Sequence, residues 1–164
     1  MSPRRMATDA EPGRPARPPR QKSLRARALG YLARREHSRT ELARKLAPHA
    51  ADADELTRLL NALEADRLLS DERFVGSLAR TRGERYGAAW VRQVLRTHDV
   101  DEELVRSAVA ELQKTEFTRA RAVWQRRFGA LAADPTDRGR QMRFLAGRGF
   151  SESVIRRVVR GAEE

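Results

Sequence analysis

The chain of 164 residues contains no cysteine. That excludes disulfides, thiolate catalysis and cysteine zinc sites, and it fits a reducing compartment. Aromatic residues are scarce, at 5%, so an apolar core has to be built from aliphatic side chains. No apolar run exceeds a few residues, which leaves nothing to span a membrane. The N-terminal stretch is polar and broken by proline, without the apolar centre of a secretory signal, so a cytoplasmic protein is expected. Catalytic devices are lacking too. The glycines are isolated and form no phosphate-cradling loop. His37, His49 and His98 fall in three separate elements with no ligand spacing, and read as surface or capping residues. Asp52, Asp54 and Glu55, like residues 99–103, sit where helices begin, and the helix dipole accounts for carboxylates there. No serine, histidine and acid constellation can be assembled. The expectation is a protein that is not an enzyme and holds no metal or cofactor.

What is present in excess is arginine. It supplies 31 of the 34 basic residues, and the net charge is +11. The excess is uneven: +4 over residues 1–22, +2 over 23–68, −1 over 69–113 and +6 over 114–164. Such a distribution is the electrostatic footprint of a polyanion binder and points to nucleic acid or a nucleoprotein surface. A solvated basic surface that merely reflects coding composition is the plainer alternative.

Beneath the charge lies a repeat. At an offset of 50, Leu145 falls on Leu95, Phe150 on Val100, Ser151 on Asp101, Ile155 on Val105 and Val159 on Val109. An offset of 49 carries the ladder back to Leu46, Ala51, Asp52, Leu56 and Leu60. A period of this length predicts a stacked array of units that bury their apolar faces against neighbours. Five of the seven prolines lie in residues 1–22, with six basic residues and little apolar mass, so this arm is expected to be disordered. From Ser23 onward the apolar spacing is helical. Leu24, Ala28, Leu29 and Leu32 form the stripe of a first helix running to about Glu36. Ser38 and Glu41 make a capping box for a second helix, and Asp52 or Asp54 caps a third. In the next copy Ser70 opens a helix bearing Phe74, Val75 and Leu78. Gly87 precedes one bearing Trp90, Val91, Val94 and Leu95, and Asp101 caps another. In the last copy Phe117, Ala120, Trp124 and Phe128 face one way, Asp134-Pro135 starts a helix, and Ser151 caps the final one. The prediction is all-α: three tandem three-helix repeats, residues 23–68, 69–113 and 114–164, stacked into an elongated, curved array behind the arm at 1–22.

Function should then reside on a surface. Arg92 and Arg96 lie opposite the apolar stripe of their helix, and Arg106 recurs fifty residues on as Arg156, with Arg160 one turn further. Arg80 and Arg82 flank the Phe74 stripe, and Arg140, Arg143 and Arg148 surround the short helix of the third unit. Guanidinium forks suit phosphates and carboxylates alike. Trp90 and Trp124 sit at core spacing and are assigned to packing.

Leu32 to Leu42 (LARREHSRTEL), Leu69 to Phe74 (LSDERF), Leu78 to Arg82 (LARTR), Tyr86-Gly87 and Val91 to Leu95 (VRQVL) resemble the RecX family of recombination regulators. The resemblance covers residues 23–162. It implies three tandem three-helix repeats and a non-enzymatic protein that binds the RecA recombinase and its filament on single-stranded DNA; a monomer is expected. It also implies restraint of that recombinase's ATP hydrolysis, strand exchange and co-protease activity, with at most weak, nonspecific contact to single- or double-stranded DNA. The family motif falls on Asp71, Arg73, Phe74, Arg80, Arg82, Gly87 and Arg92, of which Asp71, Arg73, Phe74 and Gly87 are structural. The family often has Gly-Tyr-Gly-Pro where this chain has residues 85–88, Arg-Tyr-Gly-Ala, and a glycine–apolar pair where it has Thr97-His98-Asp99-Val100. On this reading Arg80, Arg82, Arg92, Arg96, Arg106, Arg140, Arg143, Arg148, Arg156 and Arg160 contact the filament, and Asp71 and Phe74 hold the second unit. Two other readings stand beside it: a DNA binder with helix-turn-helix-like units, and a helical adaptor indifferent to nucleic acid.

Overall fold

The amides at the start of a helix have no partner within it, and in this chain most starts are met by a side chain a few residues away. Ser38 Oγ accepts from Glu41 N at 3.0 Å, Asp52 from Glu55 N at 2.7 Å, Ser70 from Arg73 N at 3.2 Å and Asp134 from Asp137 N at 2.8 Å. Asp101 accepts from both Glu103 N and Leu104 N. The structure is a computed structural model that describes residues 22–162. The expected basic arm lies outside the described residues except for Lys22. Among them are nine α-helices and no strand: α1 Leu24–Leu32, α2 Arg39–Leu46, α3 Ala53–Ala65, α4 Asp71–Gly83, α5 Ala88–Arg96, α6 Glu102–Lys114, α7 Glu116–Arg127, α8 Pro135–Ala146 and α9 Glu152–Val159. A 3-10 turn, Ala47–His49, with Pro48 inside it, closes α2. No helix among the described residues is long and apolar enough to cross a membrane.

The helices fall into three groups of three, and the repeat ladder marks the same place in each. Leu46, Leu95 and Leu145 are all 0% exposed. The next rungs down, Leu60, Val109 and Val159, are buried as well. The first group is closed by Leu24, Ala28, Leu42, Leu46, Leu60, Leu63 and Leu69, so Leu69 packs with the first unit, one residue beyond the boundary expected for it. The second is built on Phe74, Val91, Leu95, Val105 and Val109, and the third on Phe117, Trp124, Leu145, Ile155 and Val159.

Four expectations change. The units were expected to share their apolar faces; instead each has its own core, and polar contacts join them. Helix α1 stops at Leu32, not Glu36. Leu29 is 39% exposed, because it follows Ala28 by one position and so points about 100° away from the Leu24–Ala28 line. The Ser38 capping box is half formed: Glu41 turns its carboxylate to Arg35, at 2.9 Å from Nη1, rather than back to the Ser38 amide.

Candidate anion-binding surface

The joint between the first two units is made where α2 begins. Ser38 is 0% exposed, and its hydroxyl lies 3.0 Å from Nδ1 of His98, in the turn after α5. Asp71, the first residue of α4, accepts from the Arg39 amide at 2.7 Å, and Arg73 Nε donates to Glu36 at 2.9 Å. Phe74 is buried and places its ring 4.7 Å from that of His98. Burial pushes the pKa of His98 below its ordinary value, and burial does the same to His37, whose Nδ1 donates to the Arg35 carbonyl at 3.0 Å. Desolvation would raise the Glu41 carboxyl, but the bond to Arg35 and the charges of His37, Arg35 and Lys45 outweigh it and leave the group lowered. His37 is thus buried at 2% exposure and His98 half-buried in the joint. Neither is the surface or capping residue that the sequence suggested: His98 meets Ser38 and Phe74 from distant elements, and His37 is buried among near neighbours, Tyr31, Arg35 and Glu41.

The second joint repeats the plan with different chemistry. Gly87, which occupies the Ser38 rung, brings its amide 2.8 Å from the Arg148 carbonyl. A Cβ there would sit 2.0 Å from the Gly149 carbonyl oxygen. Glu116, the first residue of α7, takes the part of Asp71. Its Oε1 accepts from Ala88 N at 3.1 Å and its Oε2 from the Ser151 hydroxyl at 2.8 Å. Ser151 therefore serves the joint and makes no side-chain cap for α9, contrary to expectation. Arg119 donates to the carbonyls of Gly83, Tyr86 and Leu112, the latter two at 2.8 and 2.6 Å; burial lowers its pKa, opposed by Glu116. The turn that meets each joint has the same backbone shape. Gly149 has φ +77° and Asp99, one repeat earlier, φ +52°. Aspartate is among the few residues that tolerate this region, so the turn forms at Asp99 without a glycine. All four motif residues, Asp71, Arg73, Phe74 and Gly87, lie at joints.

The arginines named from the sequence separate into groups. Arg106, Arg140 and Arg156 are exposed but paired within their own helices, to Glu103 and Asp137 at 2.5 Å each and to Glu152. Arg80, Arg82, Arg96, Arg143 and Arg160 are exposed, and among the described residues no carboxylate pairs with them. Arg82 shares a cavity at the first joint with Arg35. Arg92 is half-buried, with its Nε enclosed and without a hydrogen-bond partner among the described residues. With Arg96, Gln93 and Gln113 it lines a cavity of about 310 Å³ at the second joint. Arg92 and Arg96 thus line one cavity, Arg96 exposed and Arg92 half-buried. Arg148 lines a larger cavity there, about 510 Å³, with Arg85, Arg126 and Arg127, which sequence reasoning missed. A signal for two of them existed: α7 carries four arginines against one carboxylate, Glu116, which is turned into the joint.

Comparisons with known proteins agree with the division into three-helix units. Residues 114–159 match the family model described as "RecX, third three-helix domain", and residues 70–109 match "RecX, second three-helix domain". Among curated relatives, the regulatory protein RecX of Ralstonia nicotianae is 50% identical over 86% of this chain and 89% of its own length. That of Ralstonia pickettii is 51% identical over 87% and 89%. A crystal structure of regulatory protein RecX superposes with a TM-score of 0.67 over 82% of this chain and 72% of that one, at 21% identity. RecX from Lactobacillus salivarius gives 0.65 over 84% and 93%, also at 21% identity.

Proposed function

The chain belongs to the RecX family of regulatory proteins, and from that membership we propose that it binds the RecA recombinase and its filament on single-stranded DNA and restrains them. The restrained activities are ATP hydrolysis, strand exchange and co-protease action. It acts as a monomer in the cytoplasm, by binding alone and without a cofactor. Identity of 50% along 86% of the chain with a regulatory protein RecX is the support that weighs most. The fold adds a physical route. Hydrogen bonds join the first unit to the second and the second to the third, while none links the first to the third among the described residues. A linear array of this kind can span neighbouring protomers of a filament. Its unpaired guanidinium groups contact acidic recombinase surface and, more weakly and without sequence preference, DNA phosphates. Bridging protomers opposes either subunit addition or the ATP-bound geometry.

Titration of the purified protein into RecA, single-stranded DNA and ATP, followed by phosphate release, tests this. Inhibition is expected; full activity at a several-fold excess of the protein would overturn it. Inhibition far below one molecule per protomer indicates capping of filament ends, and inhibition only near one per protomer indicates coating. Because Arg92 is half-buried at a joint, the charge reversal is best made at exposed positions. Arg80→Glu with Arg96→Glu should raise the half-inhibitory concentration at least ten-fold with unchanged helicity.

A further inference from the structure

A cavity of about 510 Å³ lies between the second and third units, and arginine dominates its wall. Arg85 and Tyr86 come from the turn after α4, Arg126 and Arg127 from the end of α7, Phe144 from α8, and Arg148 from the turn after α8. No carboxylate pairs with any of the four guanidinium groups among the described residues. Gathering four unneutralised cations around about 510 Å³ works against the fold through mutual repulsion. An anion in the cavity relieves it.

Two of the guanidinium groups are oriented in advance. Arg148 lies 3.8 Å from the Phe144 ring centroid and donates to the Phe144 carbonyl at 3.4 Å. Arg126 donates across the joint to the Glu84 carbonyl at 3.4 Å. Such contacts fix direction without cancelling charge. Tyr86, which lines the cavity, stacks on Trp90 with centroids 3.9 Å apart and planes 16° from parallel, so its ring is held in place beside the cations with one face clear of Trp90. Cations alternating with aromatic rings are what single-stranded nucleic acid uses, phosphates going to the first and bases to the second. Phe144 is already covered by Arg148, so Tyr86 is the ring left to a base; an acidic peptide would use the cations and leave it idle. Within a cleft of ordinary ligand-site size, roughly 300–1,000 Å³, there is room for a nucleotide-sized group.

We propose that the arginine-lined cavity between the second and third units, formed by Arg85, Arg126, Arg127 and Arg148 with Tyr86 and Phe144, binds the phosphodiester backbone of single-stranded nucleic acid. The inference rests on the DNA contact in the preceding reading but requires no recombinase.

The test uses the full chain and a fluorescein-labelled oligothymidylate of about 15 nucleotides, followed by anisotropy across a salt series, with a labelled polyglutamate peptide as the rival ligand. Arg126→Glu with Arg127→Glu should weaken oligonucleotide binding more than ten-fold. The salt slope should fall by about 1.4, at roughly 0.7 per lost single-strand phosphate contact. Arg25→Glu with Lys114→Glu makes the same change in net charge at exposed sites already ion-paired, to Asp66 and Glu111, and should stay within about two-fold of wild type. Arg126→Gln with Arg127→Gln removes the cations without placing acids at a helix end, and circular dichroism confirms folding of each variant. Binding by the reversed cavity pair as tight as wild type, or equal damage from both reversals, overturns the site. So does a loss confined to polyglutamate, which would assign the cavity to an acidic protein. A wild-type chain that does not bind the oligonucleotide at all overturns it too, while the phosphate-release titration remains an independent test of recombinase restraint.

Discussion

Gly87 and Gly76 are both bare backbone, yet the space around them differs completely. A Cβ on Gly76, inside α4, meets nothing within 4 Å, whereas one on Gly87 would press into the backbone of Gly149 and Phe150 at 2.0–2.4 Å. Gly87 has φ −74°, which alanine adopts freely, so its constraint is the approach of the next unit and not its own conformation. Gly87→Ala is therefore expected to cost about 1–3 kcal/mol as an overpacked contact that backbone cannot evade. Gly76→Ala should gain roughly 0.5–1 kcal/mol from helix propensity. Urea unfolding of the two variants checks both signs, and equal small effects would show that the joint gives way. From the sequence Gly87 reads as a break before a helix, a local role. Its actual constraint, a carbonyl in the following repeat, leaves no local trace. Asp99 is the converse case, since the repeat offset aligns it with Gly149 and its side chain is one that tolerates positive φ.

At the scale of elements, helix starts were legible wherever the cap and the amide it satisfies lie within four residues, as at Asp52, Asp101 and Asp134. They were illegible where the partner belongs to another unit. Helix α5 begins at a glycine with no side chain, and the first turn's need is met by Glu116 from α7. One buried carboxylate, 5% exposed, thus serves two elements by accepting from Ala88 N and from Ser151. Glu116→Ala would strand a buried amide and cut a charge-assisted bond, at a cost on the order of 2–3 kcal/mol. Glu116→Gln keeps an acceptor and should lose less. Hydrogen exchange at the Ala88 amide reports on this directly. Protection that survives the alanine variant would mean that water or a neighbour replaces the carboxylate and that Glu116 does not organise the joint. The ion-paired arginines tell a related story. Arg106, Arg140 and Arg156 stood out by spacing, but each has an acid three or four residues before it, a pairing worth only about 0.3–0.5 kcal/mol on an exposed helix. Arg126 and Arg127 lack one, and that absence was the more informative signal.

For the whole molecule, periodicity exposed three like units because two rungs of the ladder, Leu46–Leu95–Leu145 and Leu60–Val109–Val159, are buried leucines and valines of three separate small cores. It did not expose how the units meet, because the joints are assembled from hydrogen bonds between residues tens of positions apart. The two joints differ in a way that governs the array's response to acid. The second relies on glycine contact and a carboxylate, while the first holds His98 against Ser38 and Phe74, with His37 buried nearby. Burial lowers both histidine pKa values below the ordinary 6.5. Around His98, Glu41 and Asp71 favour the proton while Arg44 and Arg35 oppose it; around His37, the Arg35 carbonyl and Glu41 favour it while Arg35 and Lys45 oppose it. In the folded chain the neutral rings are thus preferred. As pH falls through 6.5 the unfolded chain takes up protons that the folded one resists, so stability present above pH 6.5 is lost progressively toward the lowered folded values. Glu41, lowered from 4.5, holds its contribution until pH drops below 4.5, so the histidines account for the change between. Denaturant midpoints at successive pH values from 7.5 to 5 should fall in the wild type. The fall should flatten when His37 and His98 are both replaced by glutamine, even if that variant is less stable throughout. Hydrogen exchange should place the acid-sensitive opening at the amides of Arg39 and Glu41, at the start of α2, and leave Ala88 protected. An unchanged pH slope in the double variant, or opening that begins at Ala88, would move the weak point of the array to the other joint.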